Sequence, residues 1–216
     1  MKIHRFREFR LNIRKPSDDF KLLNTPESIG FRKASQDRPI TMDDYDNLLY
    51  FSLNETDLWK YSLVQPIGAD GLKNYINIAL NAKAAGTEYP FIVYDKRTNE
   101  YAGSTRFYDI NMPYKTVQLG YTWYGKEFQR TGLNRHCKFL LLQFAFEQWG
   151  LERVEFRADA NNKRSVDAMK AIGCTVEGIL RNHMPTYTGA RRDSIVLSIL
   201  KNEWFDHCLQ SVAIDS

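Results

Sequence analysis

The spacing of hydrophobic residues changes at about residue 90, and that change restricts the chain to folds that combine helices with a sheet. Before it, Leu72, Tyr75, Ile76, Ala79 and Leu80 recur at helical spacing, and Gly86 is placed to stop the helix. After it, Pro90 to Asp95 reads as a strand, residues 96–100 as a polar turn and Tyr101 to Phe107 as the hairpin partner. Thr116 to Tyr124, rich in aromatic and β-branched residues, is a third strand. Helical spacing returns from Leu133 to Trp149, where Cys137, Leu140, Leu141, Phe144, Ala145 and Gln148 trace one face and Gly150 ends it. Then come a strand at Arg153 to Ala158, a short helix at Ser165 to Ile172 stopped by Gly173, and strands at Glu177 to Tyr187 and Ser194 to Leu200. Upstream, residues 29–34 suggest a short first strand, and Thr41 with Asp44 three residues on suggests a capping box opening a helix. The order predicts an α+β fold with a mixed, mostly antiparallel central sheet flanked by about four helices.

A chain of 216 residues fits one domain. We place that domain at 28–206, after a polar, basic extension at 1–27 and before a tail at 207–216. Thirty Lys and Arg against 26 acids give a net charge of +4, which a solvated surface explains without a nucleic-acid partner. No apolar run approaches the ~18 residues of a membrane span. The arginine-rich start lacks the apolar stretch of a signal peptide. Cys137, Cys174 and Cys208 are scattered and odd in number, so they read as reduced thiols and the protein as cytoplasmic. The histidines show no metal-ligand spacing, and no metal site is expected.

The segment carrying most chemistry joins the third strand to the long helix: Gln129-Arg130-Thr131-Gly132-Leu133-Asn134. A helix N-terminus presents unpaired N–H groups and the positive end of the helix dipole, which suits a diphosphate. Gly132 lets backbone approach a ligand closely. The segment lacks the Lys-Ser/Thr of a P-loop and the three glycines of a dinucleotide fold. Alone it fits a bland strand–turn–helix as well as a phosphate seat.

Its surroundings narrow the choice. Leu119-Gly120-Tyr121-Thr122-Trp123-Tyr124, then the segment at 129–134, then Asp159-Ala160-Asn161-Asn162-Lys163-Arg164-Ser165 and a helix ending in Ile172-Gly173 closely resemble the GNAT acetyltransferases. The match is best to the ribosomal-protein N-acetyltransferase (RimJ/RimL-like) branch. It runs from about Phe31 to Trp204 and is strongest over 117–204. Asn134 departs from the family loop, which usually has Gly or Ala there.

The resemblance implies acetyl-CoA as co-substrate and transfer of its acetyl group to a primary amine, on a protein N-terminus or a small molecule, by direct attack. It implies that the backbone of Tyr121, Thr122 and Trp123 holds the pantetheine arm, with one N–H facing the thioester oxygen. The amides around Gln129, Arg130, Thr131, Gly132, Leu133 and Asn134 would hold the pyrophosphate. Asn162 and Ser165 would meet the arm at the next helix, where Asn162 also reads as a helix cap. Many relatives carry an acidic base near the start of the family's fourth strand, and here that place is Gln118, which cannot accept the proton. Glu155 and Glu127 are the substitute candidates, each equally readable as a surface carboxylate. Ser165 and Tyr187 are candidate acids, the latter also readable as core packing. Arg181 to Met184 would face the acceptor cleft or a homodimer partner, and His183 also reads as a satisfied, partly buried histidine. Tyr61, Trp59 and Phe107 are candidate acceptor-pocket residues. Two rival functions remain at this point: an acetyl-CoA-binding module without catalysis, and a basic nucleic-acid-associated protein with salt-sensitive affinity.

Overall fold

The computed structural model describes residues 29–30 and 35–204. The basic extension, most of the suggested first strand, both proposed domain boundaries, Cys208 and the C-terminal tail lie outside the described residues. The strands are β1 (Ile29–Gly30), β2 (Ser35–Pro39), β3 (Tyr89–Asp95), β4 (Glu100–Asn111), β5 (Thr116–Tyr124), β6 (Arg153–Asp159), β7 (Thr175–Pro185) and β8 (Arg191–Leu200). The helices are α1 (Tyr45–Asn54), α2 (Gly68–Ala84), α3 (Leu133–Gln143), α4 (Lys163–Lys170) and the short α5 (Lys201–Glu203). The sheet runs β1-β2-β3-β4-β5-β6-β8-β7. Every neighbouring pair is antiparallel except β5 with β6. No helix among the described residues is long and apolar enough to cross a membrane.

The predicted elements are present, with informative shifts. The Thr41 backbone N–H donates to Asp44 Oδ2 at 2.9 Å, the acidic half of the expected box, and opens a single 3₁₀ turn that runs into α1. α2 begins four residues before Leu72, since Gly68 to Gly71 make its polar first turn. Gly86 takes φ +73° directly after the Ala85 cap. Strand β2, which the sequence does not announce, pairs with β3 from Ser35 to Pro39. Its alternation is hidden because buried Asp37 stands where an apolar residue is expected.

The helix expected at 133–149 is not uniform. After Gln143 it widens into a π turn, Phe144–Gln148, where the Trp149 N–H donates to the Phe144 carbonyl at 3.0 Å. The wider turn brings Trp149 against Phe144 at 4.9 Å and Phe107 at 5.1 Å between ring centroids. α3 supplies both hydrophobic cores: Leu133 and Cys137 join Leu48, Trp59, Leu72 and Trp123, while Leu140 to Leu142 join Phe91, Phe107, Phe156 and Trp204. Cys137 and Cys174 are buried thiols. Trp59 and Phe107, expected in an acceptor pocket, are instead core residues, 1% and 0% exposed. Trp59 meets Trp123 edge-on at 5.2 Å.

Candidate active site

β5 and β6 pair over three residues, Thr116 with Arg153, Val117 with Val154 and Gln118 with Glu155, and then separate. From Leu119 and Phe156 onward each strand turns an unpaired edge to a cleft of about 820 Å³. Backbone N–H and C=O groups on such edges need partners, and an extended ligand can supply them. A bulge adds to this. Ser104 is level with Trp123 and Arg106 with Gly120, so Tyr121 and Thr122 together oppose Thr105. Tyr121 takes φ +50°, a rare conformation for an aromatic residue, and the bulge re-aims the backbone of this pair at the seam.

The strand-to-helix segment closes one end of the cleft. Gly132 has φ +84°, and a Cβ built there would meet nothing within 4 Å. The glycine is therefore required by its backbone angle, and the space beside it is open. The first bond within α3 runs from the His136 N–H to the Gly132 carbonyl at 3.1 Å, so the first-turn amides have no carbonyl partner inside the helix, and that of Leu133 donates to Thr131 Oγ1 at 3.4 Å. Their placement is fixed from outside. Arg97 donates to the Thr131 carbonyl at 2.8 Å and to Thr131 Oγ1 at 3.1 Å while its other contacts hold Asp95. Gln129 Nε2 donates to the Tyr124 carbonyl at 2.8 Å, and Gln129 Oε1 accepts from Arg164 of α4 at 2.6 Å.

The structure thus sorts the expected cofactor residues. Tyr121, Thr122, Trp123, Gln129, Arg130, Gly132, Asn134, Asn162 and Ser165 all border the cleft. The Thr131 side chain faces Arg97 instead, and the Leu133 side chain is core at 0% exposed. For Asn162 the cap reading holds: its Oδ1 accepts from the Ser165 N–H at 3.2 Å, with the residue still on the cleft wall. These features fit the diphosphate and extended arm of a coenzyme A thioester: an open cradle at Gly132, then a seam with two unpaired strand edges.

The candidate acids and bases sort less favourably. Glu155 accepts from Arg153 and Arg157, each at 2.7 Å, and does not border the cleft. Both of its oxygens are taken by guanidinium donors and it stands off the cleft lining, so it has no position from which to meet a substrate there. Glu127 edges a separate shallow depression beside Asp95 and Arg97. Tyr187 sits past the end of β7 and is 61% exposed, which rules out core packing and keeps it off the cleft wall. His183 bonds Ser194 Oγ at 3.0 Å, as a satisfied histidine would, while its neighbour Met184 reaches the cleft. Tyr61 also borders the cleft, and its carbonyl accepts from Arg192 of β8 at 3.1 Å.

Sequence reasoning missed the carboxylate that does stand at the expected place. Asp109 borders the cleft from β4 and accepts from Gln118 Nε2 at 2.8 Å. A second bulge makes this possible: Tyr108 is level with Gln118 and Asn111 with Thr116, so Asp109 and Ile110 oppose a single residue of β5, and Asp109 takes φ +49°. Its separation of nine residues from Gln118 carries no periodic signal, because the bulge sets the contact.

The model of the acetyltransferase (GNAT) domain matches residues 38–175. The chain is 28% identical over 156 residues to a Bacillus subtilis protein named "Putative ribosomal N-acetyltransferase YdaF", covering 72% of this chain and 78% of that one. A GCN5-related N-acetyltransferase from Brucella melitensis superposes with a TM-score of 0.79 at 22% identity, over 88% of this chain and 85% of the other. Mycobacterium smegmatis RimJ, solved in complex with CoA-disulfide, superposes with a TM-score of 0.77 at 16% identity, over 88% and 95%. At those identities the two structures speak to the fold.

Proposed function

The chain belongs to the GNAT acetyltransferase family and is an acyltransferase, and from that premise we propose that it moves an acetyl group from acetyl-CoA to a primary amine. The observation that carries this reading is the seam between β5 and β6, open from Leu119 and Phe156 onward and leading to the α3 N-terminus. Acetyl-CoA supplies the activated thioester. The residues around Gly132 hold its diphosphate, the Tyr121–Thr122 bulge and Trp123 hold the arm, and Asn162 and Ser165 close the other side. A bulge amide aimed at the thioester oxygen favours the charge that develops there as the amine attacks.

The attacking nitrogen must give up a proton. Asp109 takes it in our reading: its Oδ2 is held by Gln118, which leaves Oδ1 for the acceptor ammonium. The neutral nitrogen then bonds the acetyl carbon as the carbon–sulfur bond breaks, and the second proton it sheds as the amide forms passes to the leaving thiolate, with Ser165, the expected donor that lines the cleft, placed to relay it. The fixed placement of both reactants in one cleft contributes to the rate in its own right. The acceptor is an amine of a peptide or small molecule. The name of the Bacillus subtilis relative makes the N-terminus of a ribosomal protein the first to try. A cytoplasmic location belongs to the same proposal.

The test is release of free thiol from acetyl-CoA by the purified chain, against ribosomal-protein N-terminal peptides, lysine-containing peptides and polyamines. Thiol release with one acceptor class supports the reading. Binding of acetyl-CoA with no release on any amine overturns the transfer step, and no binding overturns the whole reading.

A further inference from the structure

Lys138 is a buried cation that the family resemblance does not account for. It lies on α3, is 5% exposed, and nonetheless borders the cleft. Its Nζ donates to Thr122 Oγ1 at 2.7 Å and sits 5.6 Å from the centre of the Phe156 ring. Thr122 comes from the β5 bulge and Phe156 from the first unpaired residue of β6, so the ammonium lies between the two separating strands. Thr122 Oγ1 is itself 2.8 Å from Thr105 Oγ1.

An ammonium offers three donors. Among the described residues, Lys138 has this single hydrogen bond and no ion pair. The titratable groups around it are Asp37 of β2, its own neighbour Cys137, and Cys174 ahead of β7. Burial pushes the Lys138 amine down to about 8, so it is still largely an ammonium at neutral pH. A desolvated charge with unfilled donors is costly, and a ligand that brings acceptors into the seam relieves that cost.

Position decides which part of a ligand is involved. Lys138 lies five residues beyond Leu133, the first of α3, or ~7 Å along the helix at the usual rise. It is therefore beyond the phosphate cradle at Gly132, opposite the section of the seam where an extended chain runs. The acceptors there are amide and thioester carbonyl oxygens. Resting on the acetyl-CoA reading, we propose that the Lys138 ammonium forms the floor of the seam and donates hydrogen bonds to carbonyl oxygens of the pantetheine arm. It is a binding and positioning residue for the arm and has no part in phosphate recognition.

Calorimetric titration of the full chain with CoA and with adenosine 3′,5′-bisphosphate, which lacks the arm, tests this. Lys138→Met should weaken CoA by about tenfold, the effect of losing a charge-assisted bond. It should leave the bisphosphate affinity unchanged. Equal CoA affinity in variant and wild type overturns the proposal, as does an equal loss for both ligands, since the lysine would then act through the loop. Failure of wild type to bind CoA at all would instead refute the acetyl-CoA reading. In unmutated protein, the Lys138 Nζ resonance should shift with CoA and stay in place with the bisphosphate. A resonance that CoA does not move overturns the proposal even if the variant does not fold.

Discussion

Gln118 Nε2 and Asp109 Oδ2, 2.8 Å apart, join β4 to β5 at the point where the cleft begins. The amide at 118 holds in place the carboxylate that the neighbouring strand delivers. A sequence comparison that looks for an acid at position 118 finds a glutamine, and the structure supplies the acid from position 109.

Asp109→Asn should lower turnover by about a hundredfold or more, the range of a lost general base. CoA affinity should be unchanged, because among the described residues the Asp109 carboxylate bonds Gln118 and none of the residues expected to hold CoA. Initial rates of thiol release, paired with CoA titration, check this. Unchanged turnover would remove Asp109 from the chemistry.

Gly132→Trp should abolish CoA binding while the protein stays folded. The indole would fill the open space beside Gly132 and force a large side chain to φ +84°. Circular dichroism establishes the fold and titration the affinity. Retained affinity would place the diphosphate elsewhere.

Arg97 lies outside the cleft, yet its two bonds to Thr131 hold the loop. Arg97→Ala should weaken CoA by about thirtyfold, from two lost bonds at ~1 kcal/mol each, and should also lower the melting temperature, because buried Asp95 loses its guanidinium partner. Titration beside a thermal melt separates the two effects. A melt that falls with no change in affinity would make Arg97 a stabilising residue alone.

Asp37 gives the protein a stability that depends on pH. Burial lifts its carboxyl to about 7, against pulls downward from Cys137 and Lys138. The unfolded chain ionises Asp37 near its ordinary value of 3.8. The folded state therefore binds the proton more tightly, and wild-type stability declines as pH rises from about 4 to about 7. Asp37→Asn removes that dependence. Its stability relative to wild type should rise across the same window, by ~4 kcal/mol at most, and level off above it. Denaturant melts at pH 5 and pH 8 measure the difference. Parallel behaviour at both would mean that Asp37 does not carry the shift.

The sequence by itself determined the element order apart from β2, the left-handed glycine at 132 and most of the residues that line the cleft. These depend on short-range rules: hydrophobic period selects helix or strand, a glycine marks a left-handed angle, and Asn162 three residues before Ser165 caps its own helix. The tertiary structure decided what lies between elements far apart in the chain. Two bulges displaced the β4–β5 register, bringing Asp109 to Gln118 and turning Tyr121 and Thr122 into the seam. Packing decided that Trp59 and Phe107 fill cores, that Arg153 and Arg157 take up Glu155, and that a lysine in the middle of α3 looks out between two strands. A bulge shifts every later cross-strand partner by one residue, and a single chain's hydrophobic pattern holds no record of which strand it will face. The expected acid at the start of the seam is therefore present, at a position that periodicity could not reveal.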